Sequence, residues 1–175
     1  VEEHTPAEPD VEAVVAMEGR ADHRAFTHLR KSLHLQRAPL VGMDGQRREG
    51  NEVLAISHNA NLGNGLMFPV AVDSKGNPLT AAWAEARLNN EPLTEIRQLK
   101  GTSETTPELS PNDEFADYEL MSFLLGKDNS TSKPNGSYVR EAYQNGMAMQ
   151  VARGYNPYKF GMVGAGDSHN TVTSF

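Results

Sequence analysis

The side chains with the clearest capacity for chemistry lie near the C terminus, where a single residue separates Asp167 from His169. They follow an apolar segment, Phe160 to Val163, that we predict to be a short buried strand, and a turn of small residues, Gly164 to Gly166. Side chains two positions apart in an extended backbone point the same way. A carboxylate and an imidazole would then leave the strand end together, as two ligands of one metal ion would.

A second apolar run, Val53 to Ser57, is predicted to be a strand and is followed at once by His58. Both runs lead into the tripeptide Ser-His-Asn. Parallel α/β folds place ligand sites at the carboxyl ends of their strands, so we expect His58 to meet Asp167 and His169. Imidazole and carboxylate together suit zinc, manganese or iron. Spacing alone leaves a second interpretation open, in which both histidines bond backbone groups and Asp167 caps a turn.

Glu104 is a further acidic candidate, a few residues beyond a strand predicted from Thr94 to Lys100. It could be another metal ligand or a general base, and we take Glu104 and Asp167 as the candidate catalytic groups. A solvated acid in a turn is the alternative for Glu104. Lys100 and Arg97 could hold an anionic substrate, or they could simply be exposed cations. The sequence contains no dinucleotide-binding fingerprint, phosphate-binding Walker loop or Gly-x-Ser-x-Gly elbow.

Composition limits the other possibilities. The 175 residues suggest one domain, and the absence of cysteine excludes disulfides and thiolate metal sites. A net charge of −7 with scattered basic residues argues against nucleic acid as a partner. No apolar run approaches the length of a membrane span. The acidic, polar start shows no signal peptide, but because residue 1 is valine the chain could be processed or a fragment, so the compartment is undetermined.

The elements that must position these side chains alternate between strands and helices after Gly50, which favours a parallel α/β architecture. Capping residues and apolar spacing predict three helices in that part: Thr80 to about Leu88, Ser110 to Leu125, and Ser137 to Ala152. Upstream, a helical pattern runs from Val11 to about Gln36.

Several longer motifs match a known group of proteins. They are GNEVLAISHNAN (50–61), GLMFP (65–69), NEPL (90–93), KGTSE (100–104), LSPNDEFA (109–116), GSYVR (136–140) and NPYKFG (156–161). On these motifs the chain resembles the polymerase-and-histidinol-phosphatase (PHP) superfamily of metal-dependent hydrolases, and more narrowly a PHP-like bacterial family known only as a domain of unknown function. The resemblance covers residues 41–175, which leaves residues 1–40 as a separate helical or poorly ordered segment.

The resemblance implies a distorted (β/α) barrel with two or three metal ions at the strand ends. It places His58 among the histidine ligands, makes Asp167 and His169 the closing pair, and puts Glu104 in an acidic segment. The implied activity is hydrolysis of a small anionic ester, of the phosphoesterase type, by a metal-activated water. Neither nucleic acid nor membrane is an expected partner.

The sequence departs from this pattern in two ways. It lacks the His-x-His pair that opens the superfamily's site, and Thr106 stands where a histidine is expected. A complete (β/α) barrel also needs about 250 residues. We therefore expect a partial barrel, an internal piece of a longer enzyme with weak activity or none on its own. The alternatives are a non-catalytic structural or binding segment, and a half-barrel that completes its site by self-association.

Overall fold

The computed structural model describes residues 13–18, 52–124, 130–164 and 166–167. This part of the chain contains strands β1 (Ala13–Glu18), β2 (Glu52–Ser57), β3 (Leu93–Gln98), β4 (Gly101–Thr102) and β5 (Gly161–Gly164), helices α1 (Ala81–Asn90) and α2 (Val139–Arg153), and a 3₁₀ turn at Ala60–Leu62. The predicted α/β class is therefore confirmed, but the sheet is not wholly parallel, because β1 and β4 pair antiparallel with their neighbours. The described strands form a small mixed sheet and do not close into a barrel.

Strand β3 is the centre of the sheet. It pairs in parallel with β2, opposite Ile56 and Ser57, and in parallel with β5, which starts at Leu93↔Gly161. Strand β4 returns antiparallel to the end of β3. Because β2, β3 and β5 point the same way, the residues that follow them gather at one edge of the sheet.

Strand β1 corrects the prediction of a helix beginning near Val11. Ala13–Glu18 pairs antiparallel with β2 at six positions, from Ala13↔Ser57 to Glu18↔Glu52. The β-branched residues Val14 and Val15 favour extended backbone, and the neighbouring strand supplies hydrogen-bond partners that a helical pattern does not reveal. The rest of the predicted helix lies outside the described residues.

Helices α1 and α2 confirm two of the three helix predictions. The Thr80 hydroxyl accepts a hydrogen bond from the backbone N of Trp83 at 3.1 Å, so Thr80 caps α1 as expected. Helix α2 ends at Arg153 and is followed by Gly154, whose φ of 79° lies in the left-handed region that glycine adopts readily. Neither described helix is long and apolar enough to cross a membrane.

Ser137 does not cap α2, contrary to prediction. Its hydroxyl accepts from the backbone N of Gly65 and donates to the carbonyl of Lys133, both at 2.7 Å. The neighbouring Gly136 approaches Gly65 so closely that a Cβ there would lie 2.5 Å from the Gly65 oxygen. The loop after β2 and the loop before α2 are thus joined backbone to backbone.

The predicted helix from Ser110 to Leu125 is wrong over its described part. Short turns occupy the segment, with the N of Asp113 donating to the Ser110 carbonyl and the N of Ala116 donating to the Asp113 carbonyl, both at 3.1 Å. The Asp113 carboxylate accepts from the N of Phe115 at 3.0 Å, which is a local bond that competes with helix formation. Phe115 is 74% exposed, so the apolar spacing there does not mark a buried face.

The apolar core lies around α2 and the segments that precede β5. Its buried members are Ala60, Met67, Phe68, Leu79, Val139, Ala142, Met149, Tyr158 and Phe160. Phe68 and Tyr158 meet edge to face at 5.6 Å, and the buried guanidinium of Arg87 lies 5.2 Å from the Tyr158 ring centre. Phe160 is buried as predicted, but Met162 in β5 is 55% exposed, so β5 itself is not the buried strand expected.

Candidate functional site

His58 is a buried residue that directly follows β2. Its Nδ1 lies 2.7 Å from Oε2 of Glu95 on β3, and both residues are 5% exposed. The backbone N of Asn59 donates to the same carboxylate oxygen at 3.4 Å, and the φ of 50° at Asn59 turns the chain away from the strand direction. Glu95 therefore fixes the orientation of the imidazole from its Nδ1 side.

Asp167 reaches the other nitrogen of His58. Its Oδ2 lies 3.7 Å from His58 Nε2 and accepts hydrogen bonds from Lys100 Nζ at 2.6 Å and Gln98 Nε2 at 3.0 Å. Strands β2 and β5 flank β3, and the residues that follow them converge there. The structure thus brings together two of the predicted site residues, one hundred and nine positions apart.

The side chain of Gln98, at the end of β3, forms hydrogen bonds with residues that follow β2 and β5. Its amide nitrogen also donates to Oδ1 of Asn59, and its amide oxygen accepts from the backbone N of Lys100. We call the set His58, Asn59, Glu95, Gln98, Lys100 and Asp167 the strand-end cluster. Four of the six residues are buried, and Lys100 and Asp167 are only partly exposed.

Glu104 belongs to a different arrangement. It pairs with Arg140, which also binds Asp113; we call these three residues the Arg140 clamp. The side chain of Glu104 is 47% exposed, and in the described residues its contacts do not include His58 or Asp167. The Arg140 guanidinium lowers the pKa of Asp113, and the two carboxylates raise the pKa of Arg140.

Three other predicted residues have different outcomes. His169 lies outside the described residues, so its role as a metal ligand stays a prediction. Arg97 pairs with Glu119, and its guanidinium lies 5.1 Å from the centre of the Tyr118 ring. These two surface contacts explain its position without a bound substrate. Lys100, by contrast, is a member of the strand-end cluster.

Comparison with known protein families matches the chain, over residues 14–175, to the family described as protein of unknown function (DUF3604). The chain belongs to the DUF3604 family. None of the curated proteins and none of the solved structures searched matches it. The expectation of a domain of unknown function is confirmed, but the assignment to the PHP superfamily is wrong, because the family found is DUF3604 and nothing supports the PHP superfamily. The DUF3604 match also takes in most of β1, which the motif resemblance left out.

The chemistry of the DUF3604 strand-end cluster suits a divalent cation in part. Metal-binding histidines commonly donate a hydrogen bond from the N–H of the second ring nitrogen to a carboxylate, which is the arrangement of His58 Nδ1 and Glu95. Nε2 of His58 and Oδ2 of Asp167 are then two suitable donor atoms. Among the described residues no group of three or more histidine, aspartate or glutamate side chains is placed to hold a metal ion.

Sequence reasoning missed Glu95 and Gln98, which complete the cluster. Glu95 lies in the middle of β3, between Thr94, which is fully buried, and Ile96. An acid in the interior of a strand that is flanked by parallel neighbours needs a buried partner, and that requirement was a signal available in the sequence. Gln98 offers no comparable signal, because glutamine near a strand end is ordinary.

Proposed function

We propose that this DUF3604 chain carries part of the site of a metal-dependent hydrolase that cleaves small anionic esters, with phosphoesters as the first substrates to test. The observation that supports the proposal is the setting of His58, with Glu95 on one ring nitrogen and Asp167 facing the other at the strand ends. An oriented imidazole next to a carboxylate is the usual donor pair of such sites.

The residues have distinct roles in this proposal. His58 and Asp167 hold the ion, Glu95 orients the imidazole, and Gln98 fixes the Asp167 carboxylate. When bound, such an ion supplies Lewis acidity and makes water nucleophilic at neutral pH. His169 as a third ligand, and Glu104 and Asp167 as catalytic groups, are further parts of the proposal.

The proposal also takes the sheet as one section of a (β/α) barrel, with this chain as a fragment of the enzyme. Its support is the order of the parallel strands: β2, β3 and β5 lie side by side in the order in which they occur in the chain, with α1 between the first two and, after the short antiparallel β4, α2 before the third. Consecutive parallel neighbours joined through helices are the repeating unit of that architecture.

A second candidate is a non-catalytic structural or binding segment. It is favoured by the contact between Lys100 and Asp167, because the ammonium already neutralises the carboxylate that would bind the ion. A buried polar cluster whose members form hydrogen bonds with one another can stabilise the fold without having any catalytic or binding role.

Calorimetric titration with Zn²⁺ and Mn²⁺ separates the two candidates. We expect the chain to bind one of these ions, and His58→Gln and Asp167→Asn to weaken binding by about tenfold or more, since each replaces an imidazole or a carboxylate with a neutral amide, which is a weaker ligand. Glu119→Gln is the matched control, because Glu119 is a carboxylate that pairs with a cation on the surface.

Equal binding by all four proteins would reject the metal site and leave the structural candidate. Size-exclusion chromatography with and without the ion tests whether two copies complete the site together. A panel of phosphoesters and sulfoesters then tests turnover.

A further inference from the structure

We propose that the Lys100 ammonium and a divalent cation compete for the Asp167 carboxylate, and that the displaced ammonium receives the anionic substrate. This inference rests on the proposed function, because it needs an ion at His58 and Asp167. It assigns Lys100 a double role as a counterion before the metal binds and a substrate-positioning residue afterwards.

The competition follows from the position of a single oxygen atom. Oδ2 of Asp167 lies 2.6 Å from Lys100 Nζ and 3.7 Å from His58 Nε2. An ion held by this oxygen and the imidazole would place its charge beside the ammonium. Two positive charges a few ångströms apart repel strongly where water is partly excluded.

Lys100 is the member of the cluster that can move away. Its charge sits at the end of a flexible four-carbon chain, whereas Gln98 is neutral and can keep its hydrogen bond to Asp167 while the ion is bound. The Gln98 side chain also holds Asn59 and the backbone of Lys100, so it keeps the carboxylate in place.

Lys100 lies on the solvent side of the strand-end cluster, so its ammonium can move away from Asp167 towards water. The side chains of Lys100 and Asp167 are 16% and 20% exposed, whereas His58 and Glu95 are 6% and 7% exposed. The displaced ammonium would therefore turn towards solvent next to the ion. A positive charge at that position favours an anionic ester over a neutral one.

Titration of Lys100→Met with Mn²⁺ tests the competition directly. Methionine keeps an unbranched side chain without the charge, so we expect metal affinity to rise about fivefold or more, the lower end of typical couplings between two ligands. Lys100→Arg keeps the charge and should stay close to wild type. Circular dichroism melts establish that each variant is folded.

The possible failures are distinguishable. If Asp167→Asn weakens Mn²⁺ binding but Lys100→Met leaves it equal or weaker, the competition is overturned and the metal site stands. If Asp167→Asn changes nothing, both the competition and the ligand assignment fail.

A second measurement uses the unmodified protein, so it does not depend on how a variant folds. Brief acylation with acetic anhydride, read by peptide mass spectrometry, should modify Lys100 several times faster with saturating Mn²⁺ than without it. Lys159 is exposed and serves as the internal control. An unchanged ratio of Lys100 to Lys159 modification at saturating Mn²⁺ overturns the proposal.

Discussion

The strand-end cluster and the Arg140 clamp both join carboxylates to cations across long stretches of sequence, yet they differ in their access to water. In the strand-end cluster the Glu95 side chain is 7% exposed and shares its surroundings with neutral amides. In the clamp the side chains of Arg140 and Glu104 are 38% and 47% exposed. The same kinds of charged groups therefore work in two different dielectric surroundings.

This difference in exposure favours the strand-end cluster, rather than the Arg140 clamp, as the candidate functional site. Water screens the clamp, so its ion pairs can hold a loop together at little cost in free energy. A buried carboxylate costs much more to desolvate unless its neighbours compensate for it. Charged groups held out of water at strand ends are typical of functional sites, although buried ion pairs can also be purely structural.

The largest expected effect comes from Glu95→Ala. The substitution leaves the buried His58 Nδ1 without its acceptor, and we expect the free energy of unfolding to fall by about 3 kcal/mol. Glu104→Ala is the matched control in the clamp and should cost less than about 1 kcal/mol. Urea denaturation measures both, and equal losses would remove the distinction between the two clusters.

An intermediate effect is expected for Gln98→Leu. Leucine keeps much of the side-chain volume but leaves Asn59 and the backbone N of Lys100 without their partner. We expect a loss of about 2 kcal/mol in the free energy of unfolding. Gln150→Leu, at a position exposed on α2, provides the control. A stabilised Gln98→Leu protein would show that the strand ends do not depend on this amide.

The smallest expected effect concerns the clamp and its dependence on pH. Because the hydrogen bond from Arg140 lowers the pKa of Asp113 in the folded state, Asp113 stabilises the fold above its unfolded pKa. That contribution is lost as the pH falls through the folded pKa. Comparison of wild type with Asp113→Asn by thermal unfolding should show a small difference at pH 7 that disappears in strong acid and shrinks in high salt. A difference that grows towards low pH would contradict this account.

Local signals in the sequence were sufficient for much of the fold. Thr80 marks the start of α1 and Gly154 marks the end of α2. Both residues could be identified from the sequence because a hydroxyl cap and a left-handed glycine each act within one turn of the helix. The strand at Glu52–Ser57 and its parallel pairing with β3 follow from apolar runs separated by a helix. Convergence of His58 with Asp167 was expected from the same alternation.

The failures involve partners distant in sequence. β1 forms because β2 lies beside it, and Ser137 is drawn from its capping position to the backbone of Gly65. The turn at Asp113 replaces a helix because its carboxylate serves both Phe115 and Arg140. For β1 and Ser137 a contact formed only in three dimensions outweighs a local preference, and at Asp113 a distant partner, Arg140, adds to a local bond that already competes with the helix.

The backbone contact between Gly65 and Gly136 has a mechanical consequence. With no side chain between the two main chains, the segment that leaves the end of β2 and the segment that enters α2 have no compressible material to separate them. Their spacing is set by peptide units alone, so neither can shift towards the other. Because the backbone N of Phe68 also donates to the Gly136 carbonyl at 2.8 Å, we expect the two segments to move together when the sheet edge opens.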